Sequence, residues 1–337
     1  MSDESSFFNL SPDKVLSGAE DAGFRPTGEF SQLNSYENRV FDIVCENTER
    51  VIAKFYRPNR WSQEAILDEH EFLYDLKKEG IPAVAPLLLK NQKTLINCDG
   101  MWTAFFPKIR GRLPQELLDN DYVKVGHLMA QVHNLGARKK APHRVSMDEN
   151  FPGAWQSLDL LQDWVSPETL DRYNDAAVKI LEAFSDVIDP SEFLRIHGDC
   201  HRGNLLQGGD INLRRSVTAN SDGHPPEEKF FLVDFDDFVN GPAVQDFWML
   251  FSGDRDQESQ ERTLILKGYE ELREFPHHQW DWIPILQGLR IISYASWIAK
   301  RWEDPSFPRI FPEFNTYGYW AEETEALEKI AWSLDLS

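Results

Sequence analysis

Two stretches decide the reading of this chain: Ile196-His197-Gly198-Asp199-Cys200-His201-Arg202-Gly203-Asn204 and, further on, Leu232-Val233-Asp234-Phe235-Asp236-Asp237. The first reads H-G-D-x-x-x-x-N. The second closes a short apolar run, Phe230-Phe231-Leu232-Val233, with a cluster of acids. An Asp and an Asn on one loop can face the same reacting group from two sides. A strand that ends on a carboxylate can bring a hard metal ligand to the same place. The combination suits phosphoryl transfer, in which catalysis is mostly positioning and charge stabilisation.

Working outward, Val51-Ile52-Ala53-Lys54-Phe55-Tyr56 sets one Lys in an otherwise apolar strand. A buried Lys needs a partner. Glu69, on the following helical stretch, shares a face with Leu73 and Leu76 and is preferred over its neighbours Asp68 and Glu71. Alone, Lys54 would read as a strand-edge Lys that snorkels to solvent. With the two acidic motifs downstream, Lys54 is expected to bind nucleotide phosphates and Glu69 to orient it. The turn Asn34-Ser35-Tyr36-Glu37-Asn38 lies where a phosphate-covering loop would sit. It has no Gly, so backbone N–H groups and the Ser35 hydroxyl would make the contact. By itself it is an ordinary hairpin turn.

Kinase catalytic loops carry H-R-D-x-x-x-x-N. On that pattern Asp199 is the base or hydroxyl-orienting group, Asn204 holds one magnesium, and Asp234 bridges the metals. Asp236 shares a side with Asp234 if the strand stays extended, and is a further metal ligand or a support. Asp237 then points away. His197 and His201 read as structural anchors, and Asp246 either as a support that accepts backbone N–H bonds from the Asp199 loop or as an acid at a helix start.

The chain has 337 residues and a formal net charge of -21. That field disfavours nucleic acid and anionic membranes, and it would repel ATP unless local Lys, Arg or magnesium offsets it. Cys45, Cys98 and Cys200 form no metal or disulfide spacing, which fits a reducing compartment. The acidic start Met1-Ser2-Asp3-Glu4 lacks a secretory pattern, and the apolar run Ile81–Leu89 is short and broken by Pro82 and Pro86. A cytoplasmic protein is expected.

Strands are expected at Phe30–Asn34, Arg39–Cys45 and Arg50–Tyr56, and at Leu95–Cys98 and Met101–Phe106 around Asp99-Gly100, a type I′ hairpin signal. Helices are expected after Ser11-Pro12, over Ser62–Glu79, and at Asp119–Arg138, Ser166–Ile188, Val244–Ser252, Ser259–Glu274 and Trp282–Trp302. The fold class is α+β: a bilobal, protein-kinase-like fold, with a small β-rich lobe holding one main helix (1–107, nucleotide binding) and a larger, mostly helical lobe (108–337, catalysis and substrate). Gly208–Lys229 is polar and reads as a mobile surface insertion.

The segments H-G-D-C-H-R-G-N, V-D-F-D-D, N-S-Y-E-N-R-V and G-P-A-V-Q-D-F-W-M-L resemble the stress response kinase A family. These are bacterial Ser/Thr protein kinases with the aminoglycoside-phosphotransferase-like form of the kinase fold. The resemblance runs from about Leu33 to Phe307-Pro308. It implies ATP, magnesium, a cytoplasmic monomer and a role in stress survival. It also implies Asp199 as proton acceptor, Asn204 and Asp234 as magnesium ligands, and Ser35 at the ATP phosphates. The Gly208–Lys229 insertion departs from the family and bears on substrate preference. Two other readings stand beside a protein Ser/Thr acceptor. One is a small hydroxyl acceptor of the aminoglycoside, choline or homoserine type, since a cationic acceptor suits an acidic protein. The other is nucleotide binding without catalysis, disfavoured because Lys54, Asp199, Asn204 and Asp234 are all present.

Overall fold

The computed structural model describes residues 7, 10–46, 49–148, 153–210, 229–253 and 255–335. Most of the expected insertion, 211–228, lies outside the described residues. In chain order the elements begin with α1 (Pro12–Asp21), β1 (Pro26–Leu33), β2 (Arg39–Cys45), β3 (Arg50–Phe55) and α2 (Gln63–Lys78). Next come β4 (Ile96–Cys98), β5 (Met101–Pro107), β6 (Arg110–Arg112), α3 (Asp119–Gly136), α4 (Ala154–Leu161) and α5 (Leu170–Val187). Then follow β7 (Leu194–Ile196), β8 (Leu205–Asp210), β9 (Lys229–Leu232), β10 (Val239–Gly241), α6 (Arg255–Tyr269), α7 (Ile283–Lys300), α8 (Phe307–Ile310) and α9 (Tyr317–Ser333). The fold is α+β, as expected.

Contacts divide the chain into two compact units. The first comprises Met1–Arg144, His197–Phe238 and Met249–Phe275; the second comprises Val145–Ile196, Val239–Trp248 and Pro276–Ser337. Within the first unit α3 packs on α6 and also meets α2.

An antiparallel sheet of order β1-β2-β3-β5-β4 anchors the first unit. Period-two alternation sorts its central strand. Val51, Ala53 and Phe55 pack with Phe41, Ile43, Phe105 and the α1 residues Val15 and Ala19. Ile52 and Lys54 face the other way. The β4–β5 hairpin turns on Asp99 (φ 52°) and Gly100 (φ 85°), both in the left-handed region that a type I′ turn requires. Ser62 caps α2 by accepting from the Ala65 N–H at 3.1 Å. The helix buries Ala65, Ile66, Glu69, His70, Phe72, Leu73 and Leu76, so the inward setting of Glu69 follows its periodicity. A second sheet, β6-β8-β9, adjoins both the H-G-D-x-x-x-x-N loop and the acidic motif.

The second unit is mostly helical. Helix α9 packs on α5 and α7, and α4 also packs on α7. There β7 pairs with β10. The expected helix Val244–Ser252 is instead two 3-10 turns, Ala243–Asp246 and Trp248–Leu250. Ala243, Val244, Gln245 and Asp246 are all buried, so the segment has no exposed face for an amphipathic helix to present. Cys45, Cys98 and Cys200 are buried thiols. Among the described residues no helix is long and apolar enough to cross a membrane.

Candidate active site

The H-G-D-x-x-x-x-N loop runs directly into β8, and the acidic motif leaves β9. Leu205 pairs with Leu232, and the Val233 N–H donates to the Asn204 carbonyl at 3.1 Å. This pairing sets Asn204 beside Asp234. The His197 ring ties the same two segments. Its Nδ1 accepts from the Asp199 N–H at 3.3 Å, so Nε2 carries the proton and donates to the Val233 carbonyl at 2.9 Å. The ring also packs on Phe235, 4.5 Å between centroids. Gly198 turns the chain between His197 and Asp199 at φ 85°, a conformation that favours Gly.

Asp199 is partly exposed and has two neighbours on its own loop. The Asn204 amide donates to the Asp199 carbonyl at 2.9 Å and lies 3.5 Å from its carboxylate. That donation leaves the amide oxygen of Asn204 as an acceptor for a cation. His201 Nδ1 accepts from the Gly203 N–H at 2.9 Å, so its Nε2–H faces the Asp199 carboxylate at 3.3 Å. His201, expected to be only structural, therefore touches the candidate base. A Cβ on Gly203 would stand 2.6 Å from His201 Cε1, so only Gly lets the ring approach.

On the sheet side, Lys54 Nζ stands among three carboxylates: Asp236 at 2.9 Å, Asp234 at 3.3 Å and Glu69 at 3.9 Å. Burial alone would lower the Lys54 pKa, but Asp236, Glu69 and Asp234 raise it well above its usual value. The pair expected on a kinase-like small lobe, Lys54–Glu69, is the longest of the three contacts. Glu69 accepts more closely from Arg144, at 2.6 Å.

Asp234 and Asp236 do not share a strand face. The strand ends at Leu232, Asp234 sits in the left-handed region (φ 59°, ψ 66°), and Phe235–Asp237 forms a 3-10 turn. The Asp234 side chain is 55% exposed, whereas that of Asp236 is 4% exposed and ion-paired to both Lys54 and Arg60. Burial would raise the Asp236 pKa, but Arg60, Lys54 and Arg144 hold it below the ordinary range. The turn therefore corrects the extended-strand reading in which Asp234 and Asp236 share a side; Asp236 instead faces Lys54 and Arg60. Asp237 pairs with Arg60.

A cavity of about 300 Å³ opens in this unit. Ser35, Lys54, Glu69 and Asp234 are among its walls, with Leu33, Val40, Ile52, Phe106 and Ile109 supplying apolar surface. Asp199, Asn204 and Asp236 are not wall residues. The Ser35 turn has no Gly and is held by side chains. Ser35 Oγ accepts from the Asn38 N–H at 3.3 Å, and Arg57 donates to the carbonyls of Glu37 (3.0 Å) and Tyr36 (3.3 Å).

The donor set fits magnesium. Asp234 offers an exposed carboxylate and Asn204 an amide oxygen, and magnesium takes one or two such ligands plus phosphate oxygens and water.

Residues 29–213 match the phosphotransferase enzyme family. Stress response kinase A of Escherichia coli (strain K12) is 32% identical over 94% of this chain and 92% of its own length. The chain belongs to the stress response kinase A branch of the phosphotransferase enzyme family. A Salmonella typhimurium relative with the same identity and coverage is named serine/threonine protein kinase RdoA. Solved phosphotransferases share the fold. Amicoumacin kinase hAmiN, in complex with AMP-PNP, Ca2+ and Ami, has TM-score 0.69 at 16% identity, over 94% of each chain. The microcompartment-associated aminopropanol kinase has TM-score 0.66 at 17% identity, over 95% of each chain. The chain is thus a kinase-type phosphotransferase.

Arg60, Arg144 and the His201 contact were not read from the sequence. Arg144 lies far from every motif and carries no periodic signal. Arg60 and Trp61 precede α2 in a polar connection that reads as an ordinary loop.

Proposed function

We propose that this protein transfers the γ-phosphoryl group of ATP, with magnesium, to Ser/Thr hydroxyls of proteins in a stress response. We place it in the cytoplasm as a monomer, with residues 1–107 holding the nucleotide and 108–337 supplying catalysis and substrate contacts. The observation that carries the reading is the β8–β9 pairing that sets Asn204 beside Asp234, with Lys54 Nζ 3.3 Å from Asp234. Lys54 and Ser35 bind and orient phosphate oxygens at the cavity wall. Asp234 and Asn204 would hold magnesium, which would supply positive charge beside the transferring group. Asp199, steadied by Asn204 and His201, accepts the acceptor hydroxyl's hydrogen bond and its proton. The apolar wall from Leu33 to Ile109 takes the base and excludes water.

The name of the Salmonella typhimurium relative favours a protein acceptor. The fold neighbours named for amicoumacin and aminopropanol favour a small hydroxyl acceptor as the second reading. Purified protein with labelled ATP and magnesium separates them. Label on protein Ser/Thr, lost in Asp199→Ala, is the expected result. Turnover of an amino alcohol without protein labelling would shift the acceptor to small molecules. ATP binding with no transfer to either would leave a nucleotide-binding protein.

A further inference from the structure

Arg60 reaches carboxylates on two separate segments. Its Nη1 stands 2.9 Å from Asp236 Oδ2 and 3.3 Å from Glu37 Oε2, and its Nη2 pairs with Asp237. Glu37 belongs to the Ser35 turn, and Asp236 and Asp237 belong to the turn that begins at Asp234. Asn34, Ser35 and Asn38 line the cavity on one side and Asp234 also lines it, whereas Glu37 and Arg60 are not wall residues. One guanidinium therefore ties two walls together from outside the cavity. The local sequence puts it there. Arg57-Pro58-Asn59-Arg60 closes on an Arg60 N–H donation to the Arg57 carbonyl at 3.4 Å, with Pro58 second and Asn59 third at φ 65°, the pattern of a type II turn. Both arginines of that turn meet Glu37, since Arg57 Nε lies 3.3 Å from Glu37 Oε1. The Arg57 N–H also donates to Asn38 Oδ1 at 3.2 Å. The side chains of Arg60 and Glu37 are only 14% and 11% exposed, so salt screens their contact weakly.

We propose that Glu37 is a positioning residue for nucleotide phosphate: through Arg60 it latches the Ser35 turn to the Asp234 turn, so that both face the nucleotide in a fixed relation. The proposal rests on the phosphotransfer reading of the site. The Ser35 turn has no Gly and offers phosphate its N–H groups and a hydroxyl, which serve only while the turn stands over the cavity. A turn released from Arg60 spends part of its time elsewhere, and apparent affinity falls with the fraction of time it is in place. Glu37 itself is a negative charge close to an anion site. By charge alone, its removal would strengthen ATP binding. The latch predicts the opposite sign, so the two effects are separable.

The test compares wild type with Glu37→Gln, Arg60→Lys and Glu37→Gln/Arg60→Lys. It reads magnesium-ATP affinity by calorimetry, KM and kcat for ATP, and hydrogen exchange over residues 34–38. Glu37→Gln should weaken ATP about tenfold in Kd and KM, with kcat within about threefold because the Asp199 loop is untouched. Exchange over 34–38 should quicken about tenfold, while β3 and α2 keep wild-type protection. Arg60→Lys keeps a cation beside Asp236 but lacks the fork that also spans Glu37, so it should weaken ATP by a similar factor. The double variant should stay within about threefold of the weaker single variant, because either change already opens the latch. A Glu37→Gln variant that binds ATP as well as wild type or better would overturn the proposal, as would a double variant whose loss is the product of the two single losses. Weaker binding with unchanged exchange over 34–38 would also overturn it. If Glu37→Gln does not fold, Arg60→Lys carries the test with the same thresholds. Failure of both to fold makes the contact a folding clamp and overturns the proposal. A wild type that binds ATP but transfers phosphate to no acceptor would sink the phosphotransfer reading instead, and the affinity and exchange series would still decide the role of Glu37.

Discussion

Replacing Asp234 by Gly, Ala and Asn separates backbone strain from metal chemistry at one position. Asp234 sits at φ 59°, ψ 66°, a left-handed conformation that costs an Ala about 1–2 kcal/mol and a Gly nothing. Gly gives back roughly 0.4–1 kcal/mol through the greater freedom of its unfolded chain. Every replacement also loses the 3.3 Å contact with Lys54, but that carboxylate is half exposed, so the loss is at most about 1 kcal/mol and is common to all three. The difference between Gly and Ala is therefore free of the charge effect. Asp234→Gly should be more stable than Asp234→Ala by roughly 0.5–1 kcal/mol, or about 1–3 °C in melting temperature for a chain of this size. Asp234→Asn should lie near Gly, because Asn tolerates the left-handed region. All three should lose magnesium-dependent ATP affinity, and turnover should fall on the order of a hundredfold or more. Thermal and urea unfolding give the first ranking, and calorimetry with and without magnesium gives the second. An Ala variant as stable as the Gly variant would refute the strained turn. An Asn variant that keeps magnesium-dependent ATP binding would refute the metal assignment.

Gly203→Ala pushes a Cβ to 2.6 Å from the His201 ring, which must swing off Asp199. Turnover should fall about tenfold to a hundredfold with little change in ATP affinity, and unchanged turnover would show that the His201 contact is idle. His70 donates or accepts at both Thr94 (2.8 Å) and Tyr56 (3.2 Å), and burial with Lys54 and Arg144 nearby lowers its pKa to about 3. Below pH 6.5 the unfolded chain takes up a proton that folded His70 refuses until the pH nears 3, so its stability contribution is present above 6.5 and lost on acidification. Urea unfolding should show up to about 1.4 kcal/mol lost per pH unit through that window, and His70→Gln should flatten the slope. An equal slope in the variant would assign the acid sensitivity elsewhere.

The sequence revealed what local patterns encode. Lys54 was legible because alternation in V-I-A-K-F-Y fixes its face, and Glu69 because Leu73 and Leu76 share its helical stripe. Asn204 and Asp234 were legible as ligand types, though their adjacency depends on the Leu205–Leu232 register. Period two failed at Asp236 because the strand stops at Leu232 and the backbone turns left-handed at Asp234, a choice nothing in V-D-F-D-D announces. Periodicity also missed α4 and α9, and it made a helix of Val244–Ser252 where burial on all sides favours 3-10 turns. Arg144 was illegible for a different reason. Its partners are one side chain on α2 and two backbone carbonyls, Ala65 and Asp236, and backbone acceptors leave no trace in sequence.

The net charge of -21 and an anionic nucleotide are reconciled by distance rather than by total charge. Around the Lys54 amine, Glu69, Asp234 and Asp236 face Lys54, Arg60 and Arg144, and Arg60 also pairs with Asp237 and with Glu37, which in turn faces Arg57. The rest of the acidic excess acts through solvent, where the Debye length is about 8 Å at physiological salt. A nucleotide that brings its own magnesium therefore meets a site whose cations offset most of the nearby carboxylates. Removing one guanidinium from this set unbalances it by a full charge at a few ångströms and low dielectric, where the global field is a minor correction. For that reason, Arg144, remote in sequence from every motif, should matter more to ATP than any exposed lysine added to the surface.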